Sequence, residues 1–257
     1  MAFESIVVAS MNSIAEEFVC PITQELPLEP VTAEDGRIYE RNAIERCIRH
    51  QRDNVRSPYT NERMGDKLLP ALQVFNTIRH LVESKAIDEE LSARWKERME
   101  EKKRVERMRS RAESGDTEAM YTLGRWCTDG QNLPKDERSA FKWYKKAADN
   151  QCPKGMAAAG FCLLFGCGVE RNEPYAVHLL SLAANCGCDV ACCVLGEIYY
   201  HGDCGFPQDE VLAQYWLTKV VDKTCAVSHI TNQRFEIAKS LLEKLRTSDP
   251  RSYSYNV

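Results

Sequence analysis

Apolar positions along the chain follow two rhythms, separated by a long polar stretch. Between residues 17 and 84 they come in short runs broken by turn residues. Phe18-Val19-Cys20-Pro21-Ile22 begins the series, Glu29-Pro30-Val31 leads into a short strand, and Asp35-Gly36 marks a turn before Ile38-Tyr39. That order predicts a β-hairpin. From Arg41 to His50 the spacing becomes helical, with Ile44, Cys47 and Ile48 on one face. Ser57-Pro58 marks a loop, and Leu68-Leu69-Pro70 leads into a last helix carrying Leu72, Val74, Phe75, Ile78, Leu81 and Val82.

Residues 85 to 111 hold neither glycine nor proline and run through KERMEEKKRVERMRSR. Fully helical, the stretch would extend about 40 Å at about 1.5 Å per residue. Ile87, Leu91, Trp95 and Met99 recur at every fourth position, a narrow apolar stripe. The reading is a solvated linker helix steadied by opposite charges at helical spacing. A dimer seam would need more heptads than this stretch supplies. Basic residues from Lys96 to Arg111 are interrupted by Glu97, Glu100, Glu101 and Glu106, so nucleic-acid binding is not needed to explain them.

From residue 112 the chain repeats itself. Gly124, Gly160 and Gly196 form one column, Gly130, Gly166 and Gly202 a second, Ala140, Ala176 and Ala213 a third, and Ala119, Gly155 and Ala191 a fourth. A fixed period of this size signals stacked supersecondary units. In the first unit Ala119, Leu123 and Trp126 share one helical face, and Ala140, Trp143, Tyr144 and Ala147 share another. The loop DGQNLPKD separates them with both glycine and proline. Each unit is therefore a pair of helices that buries its apolar face only by stacking. Phe235, Ala238, Leu241, Leu242 and Leu245 predict a further amphipathic helix over 229 to 246, a cap on the last unit.

These units resemble Sel-1-like repeats, relatives of the tetratricopeptide repeat. The first reads AESGDTEAMYTLGRWCTDG then KDERSAFKWYKKAA, the second GMAAAGFCLLFGCGV then YAVHLLSLAA, the third DVACCVLGEIYYHGDCGF then QDEVLAQYWLTKVV. In the second, Ala159 stands where the pattern has leucine before glycine, and Leu179 occupies the tryptophan column. The resemblance implies a curved all-α solenoid that holds a protein partner. Trp143, Tyr144, Tyr199, Tyr200 and Trp216 are either anchors for it or core; packing is the favoured reading.

Composition narrows the field. Of 257 residues, 44% are hydrophobic and 28% charged, which excludes a disordered chain. A net charge of −4 gives no global basic field for nucleic acid or anionic lipid. No apolar run has the length to cross a bilayer. The opening MAFESIVVASMNSIAEEF has no basic n-region and only a short apolar stretch from Ile6 to Ala9, so no secretory signal is expected. The expectation is an intracellular, cytoplasmic protein, with the nucleus left open. Ten of the 12 cysteines fall between Cys127 and Cys225. The one dense group, Cys186, Cys188, Cys192 and Cys193, lacks zinc-site spacing, and packing is its expected role. There is no phosphate loop, and no Ser/His/Asp or metal-ligand spacing that would indicate a metabolic enzyme.

The front segment resembles the U-box. The matching residues are Cys20-Pro21-Ile22-Thr23, Glu29-Pro30-Val31, Asp35-Gly36, Tyr39-Glu40-Arg41, Ile44, Ser57-Pro58-Tyr59-Thr60-Asn61 and Leu69-Pro70. The resemblance implies an α+β, RING-like fold in which hydrogen bonds and salt bridges replace the metals. Independently, a RING finger needs Cys and His ligands in paired spacing, and this segment holds only Cys20, Cys47, His50 and His80. No metal and no cofactor is expected. The residues expected in the scaffold network are Glu29, Asp35, Arg37, Tyr39, Glu40, Arg41 and Thr60.

What the family implies about activity is a ubiquitin ligase without a covalent intermediate. Such a module binds a ubiquitin-conjugating enzyme and restrains its thioester-linked ubiquitin for attack by a substrate lysine, a gain of proximity and orientation. By position, Ile22 and Gln24 fall on the first docking loop and Pro58 on the second. Asn61 takes the place of the polar residue that bonds both conjugating enzyme and ubiquitin. Ile22 also reads as an ordinary core isoleucine, and Pro58 as turn punctuation. Two departures stand out: Gln24 replaces a larger apolar residue, and Ala71 follows Pro70 where the family has asparagine. The expected organisation is a tail (1–16), a U-box (17–84), a charged linker helix (85–111), three repeats (112–222) and a cap with tail (223–257). The expected partners are the conjugating enzyme with its ubiquitin and a protein substrate or adaptor on the repeats, without nucleic acid or membrane; dimerisation has no support in the sequence. A non-catalytic scaffold with a degenerate U-box is the alternative that Gln24 keeps open.

Overall fold

The structure is a computed structural model that describes residues 14–51 and 54–248. The predicted tails before residue 14 and after residue 248 lie outside the described residues. The chain divides into two compact units, Met1–Lys103 and Arg104–Val257.

In the first unit, strands β1 (Pro30–Thr32) and β2 (Ile38–Glu40) pair antiparallel, with Val31 opposite Tyr39. Gly36 takes φ 75° in the connecting turn, a conformation open to glycine at no steric cost. Helix α1 (Arg41–Gln51) follows directly, as its periodicity predicts. A two-residue strand, β3 (Leu69–Pro70), pairs with the other edge of β1, giving the order β2-β1-β3. Periodicity could not reveal β3, because two residues carry no alternation. Helix α2 (Leu72–Glu83) completes the series.

Two small cores hold this unit. Cys20, Val31, Ala33, Tyr39 and Ile44 form one, with Ile22 partly buried against it. Leu26, Ile78, Leu81, Val82, Ile87 and Trp95 form much of the other, joined by partly buried Leu91 and Met99. The second core corrects the reading of the charged stretch. Helix α3 (Glu89–Glu113) is not simply solvated: its every-fourth stripe packs onto the front unit, and Trp95 is only 6% exposed. Three apolar positions at helical spacing on α3, Leu91, Trp95 and Met99, were enough to make a core face once a partner lay beside them, and Ile87 joins the same core from just before the helix.

The second unit begins within the end of α3, where Ala112 is buried with Ala119 and Leu123. Three helix pairs follow: α4 (Thr117–Asp129) with α5 (Glu137–Asp149), α6 (Pro153–Phe165) with α7 (Glu173–Asn185), and α8 (Asp189–His201) with α9 (Glu210–Val221). Helix α10 (Asn232–Ser248) closes the stack through Ala238, Leu241, Leu242 and Leu245. It starts at Asn232 rather than at the predicted 229, because the backbone amides of His229 and Ile230 donate to Asp189 Oδ2 instead of entering the helix.

The glycine columns have distinct physical causes. Gly130, Gly166 and Gly202 cap their helices in left-handed geometry at φ 72°, 73° and 74°. At Gly124, Gly160 and Gly196 the partner helix comes too close for a side chain: a Cβ would lie 2.5 Å from Tyr144, 2.9 Å from Leu180 and 2.7 Å from Leu217. A further column is the residue capping the first helix of each pair, Asp116, Cys152 and Cys188. Only Asp116 caps with its side chain; the two thiols turn into the core. Tyr144 and Trp216 are likewise buried, while Trp143, Tyr199 and Tyr200 are partly buried against the core.

Candidate docking surface and its scaffold

Two loops of the first unit are built to the same plan. In the first, Gln24 N donates to Cys20 O at 2.8 Å and Cys20 N donates to Glu25 O at 2.9 Å. In the second, Asn61 N donates to Ser57 O at 2.9 Å and Ser57 N donates to Glu62 O at 2.9 Å. Each loop turns through one left-handed non-glycine residue, Gln24 at φ 58° and Asn61 at φ 61°. Such residues are uncommon outside turns. Backbone hydrogen bonds thus close both loops.

Ile22 lies half-buried on the first loop; Pro58, Tyr59 and Asn61 lie exposed on the second. Ile22 packs on the core and keeps part of its side chain at the surface. The Gln24 side chain folds back on its own loop, donating to Pro21 O at 2.8 Å. The Arg37 guanidinium stacks over Tyr59, 4.2 Å from the ring centroid. The Asn61 carbonyl accepts from Arg56 Nη1 at 2.9 Å.

Asp35 and Ser57 anchor the second loop. The Asp35 carboxylate accepts from Ser57 Oγ at 2.5 Å, Tyr39 OH at 2.7 Å and Arg37 N at 3.0 Å. Ser57 Oγ in turn accepts from Tyr59 N at 3.1 Å and Thr60 N at 3.0 Å. Burial pushes the Asp35 carboxyl up, but the hydrogen bonds from Ser57, Tyr39 and the Arg37 amide together outweigh it and hold Asp35 below the usual carboxylate range. Burial, then the bond to Asp35, raises Tyr39 well above the ordinary phenol. The expected network residues Asp35, Arg37, Tyr39 and Thr60 meet here.

Glu29, Glu40 and Arg41 meet elsewhere. Glu40, only 8% exposed, accepts from Leu28 N at 2.7 Å and Glu29 N at 3.2 Å. Its counter-charge is Arg98, 3.6 Å away on α3. Glu29 pairs with Lys102 at 2.6 Å and Arg41 at 3.6 Å. Sequence reasoning placed Ser57 on a loop and among the residues that match the U-box but not in the scaffold network, and it missed Arg98 and Lys102. A signal for the latter existed: both lie at helical spacing from Trp95 on the apolar stripe. At Ala71, which caps α2, the side chain offers no capping bond, as the departure from asparagine implies.

The second unit offers a cavity of about 490 Å³ lined by Tyr121, Tyr144, Lys154, Phe161, His229 and Arg234 among others. The Arg234 guanidinium stacks on Phe161, and Lys154 pairs with Glu118 at 3.0 Å. Among the described residues one group of three possible metal ligands falls together, Cys188, Asp189 and His229. Asp189 already accepts from Val190 N, His229 N and Ile230 N at 2.7, 2.9 and 3.1 Å, and burial pushes the Cys188 thiol up to about 11. Of the dense cysteine group, Cys188, Cys192 and Cys193 are fully buried and Cys186 is exposed.

A sheet-and-helix module with paired loops followed by stacked helix pairs defines a modular architecture. Family models agree: the U-box domain matches residues 14–87, and the Sel1 repeat matches 117–152, 153–188 and 189–222. The chain carries a U-box domain followed by three Sel1 repeats. Protein SHC1 of Saccharomyces cerevisiae is 31% identical over 143 residues, 53% of this chain and 27% of that protein. U-box domain-containing protein 44 of Arabidopsis thaliana is 46% identical over 48 residues, 19% of this chain and 6% of that protein. The chain thus spans a minor part of these relatives' length. A Sel1 repeat protein from Oxalobacter formigenes is 28% identical, with 55% of this chain and 97% of that one covered at a TM-score of 0.45. Among the described residues no helix is long and apolar enough to cross a membrane.

Proposed function

We propose that this protein is a ubiquitin ligase whose U-box docks a ubiquitin-conjugating enzyme while the repeats hold the protein to be modified. The observation that carries the reading is the pair of identically closed loops, which present Ile22 on one and Pro58 and Asn61 on the other. A half-buried isoleucine on one loop and an exposed proline on the other are the side-chain types that suit an apolar docking patch. In this reading Gln24 lies at the patch edge. The docked enzyme carries ubiquitin as a thioester; a substrate lysine amine attacks the thioester carbonyl, an isopeptide bond forms, and the enzyme's cysteine leaves as thiolate. The ligase contributes orientation rather than a nucleophile. The repeat cavity, lined by aromatic side chains and by charges of both signs (Lys154 and Arg234, Asp129 and Glu137), supports recruitment of a protein segment by the second unit.

The test is autoubiquitination against a panel of conjugating enzymes, with wild type beside Ile22→Ala and Pro58→Ala. The expected result is activity with at least one enzyme, lost in both variants. Gln24, with its side chain turned back onto Pro21, favours a second reading, a scaffold that no longer docks the enzyme. Silence of the wild type across the whole panel would establish that scaffold instead.

A further inference from the structure

The two loops share a hydrogen-bond plan but not an anchor. Asp35 and Ser57 hold the second from within the U-box. The first is held from outside the matched stretch, which ends at residue 87. Every residue from Glu25 to Glu29 is bonded to Glu40 or to α3. Arg98 Nη1 lies 3.0 Å from Glu25 Oε2 and donates to Leu26 O at 2.9 Å. Trp95 Nε1 donates to Pro27 O at 3.3 Å. Leu28 N and Glu29 N donate to Glu40, whose buried charge faces Arg98, and Glu29 pairs with Lys102. Glu25 is also the residue whose carbonyl closes the first loop onto Cys20 N.

We propose that Arg98 is a positioning residue for the first docking loop: from α3 it clamps the loop's exit and so fixes Ile22 and Gln24 for the conjugating enzyme. The proposal rests on the docking reading above. Removing Arg98 leaves Glu40 as a buried charge without its counter-ion, which is costly. It also releases Glu25 and Leu26 together, while Asp35 and Ser57 stay in place. The loss is therefore local to one loop.

The experiment uses the full chain with Arg98→Ala, Arg98→Lys and Glu25→Gln, the last removing one contact while leaving Arg98 on Glu40. Backbone amide exchange is read at Cys20 and Gln24 in the first loop and at Ser57 and Asn61 in the second. Arg98→Ala is expected to speed exchange about tenfold in the first loop and leave the second unchanged. Arg98→Lys, which keeps the charge, should recover part of the protection, and Glu25→Gln should show a smaller loss confined to the same loop. In ubiquitin discharge, KM for the loaded conjugating enzyme should rise about three- to tenfold in Arg98→Ala with kcat retained. Equal loss of protection in both loops, or loss in neither, overturns the clamp whatever the activity. Exchange needs no conjugating enzyme, so a first-loop effect in a chain whose wild type is inert across the panel upholds the clamp and sinks the docking reading alone.

Discussion

Ser57 Oγ stands 2.5 Å from Asp35 Oδ2, a bond that reaches across 22 residues and ties the second loop to the hairpin turn. Because the bonds Asp35 accepts favour its charged form, its folded pKa lies below its unfolded one. Its contribution to stability is then fully present above the unfolded value, near pH ~4, and is lost as pH falls through the folded one. Amide protection at Tyr59 and Thr60 should hold steady above about pH 5 and decline below about pH 4. Asp35→Asn should lower it at pH 7 and flatten the acid limb. A wild-type protection that rises on acidification would contradict the network.

Trp95 joins α3 to the front unit with its ring in the core and its indole N–H on Pro27 O. Trp95→Ala should destabilise the first unit by about 3–5 kcal/mol, the usual cost of a buried tryptophan. The check is urea unfolding followed by amide exchange in α2 and β1. A cost below about 1 kcal/mol would mean that α3 is only a solvated connector, as the charge pattern alone implies.

How much of this was legible differs by element. The hairpin, α1 and α2 follow from short-range signals: Asp35-Gly36 between β-formers, then helical spacing from Arg41 and again from Leu72. The repeats follow from columns of small residues, which demand close approach or left-handed geometry wherever they recur. The role of α3 was hidden because its stripe on the front core is only Leu91, Trp95 and Met99, embedded in charge; burial depends on what packs there, which periodicity does not report. Likewise Asp35, Tyr39 and Thr60 could be named as scaffold residues, but Ser57, their shared partner, could be placed only on a loop and among the U-box matches. Arg98 escaped because its contacts to Glu25 and Glu40 are distant in sequence. Pairings of that kind are tertiary facts.

Gly155 separates sequence logic from geometry. Its column holds alanine at 119 and 191, and alanine is the better helix former by about 1 kcal/mol. Yet a Cβ at 155 would lie 2.5 Å from Ala147 Cβ and 3.0 Å from the Ala147 carbonyl carbon, where backbone must shift. Gly155→Ala should therefore destabilise the repeat unit by about 1–3 kcal/mol, as overpacking does. Thermal unfolding of the variant decides it, and a rise in midpoint would show that α5 and α6 yield more easily than their packing implies.

His229 makes the repeat unit sensitive to mild acid. Its ring is edge-on to Tyr121, and its Nδ1 lies 3.3 Å from Asp189 Oδ1. Burial lowers its pKa first; Asp189 and Glu118 pull it up, Lys154 and Arg125 push it down, and the net shift is downward. The folded state thus holds the ring neutral at a pH where the unfolded chain would protonate it. Above the unfolded value, about 6.5, the full contribution to stability is present; as pH falls through the folded value it is lost. Urea midpoints of the repeat unit should be level above about pH 7 and decline from about pH 6.5 downward, with the slope reduced in His229→Gln. NMR titration of the ring gives the direct check. A midpoint above about 7 would mean that Asp189 outweighs burial, and the pH trend would then reverse.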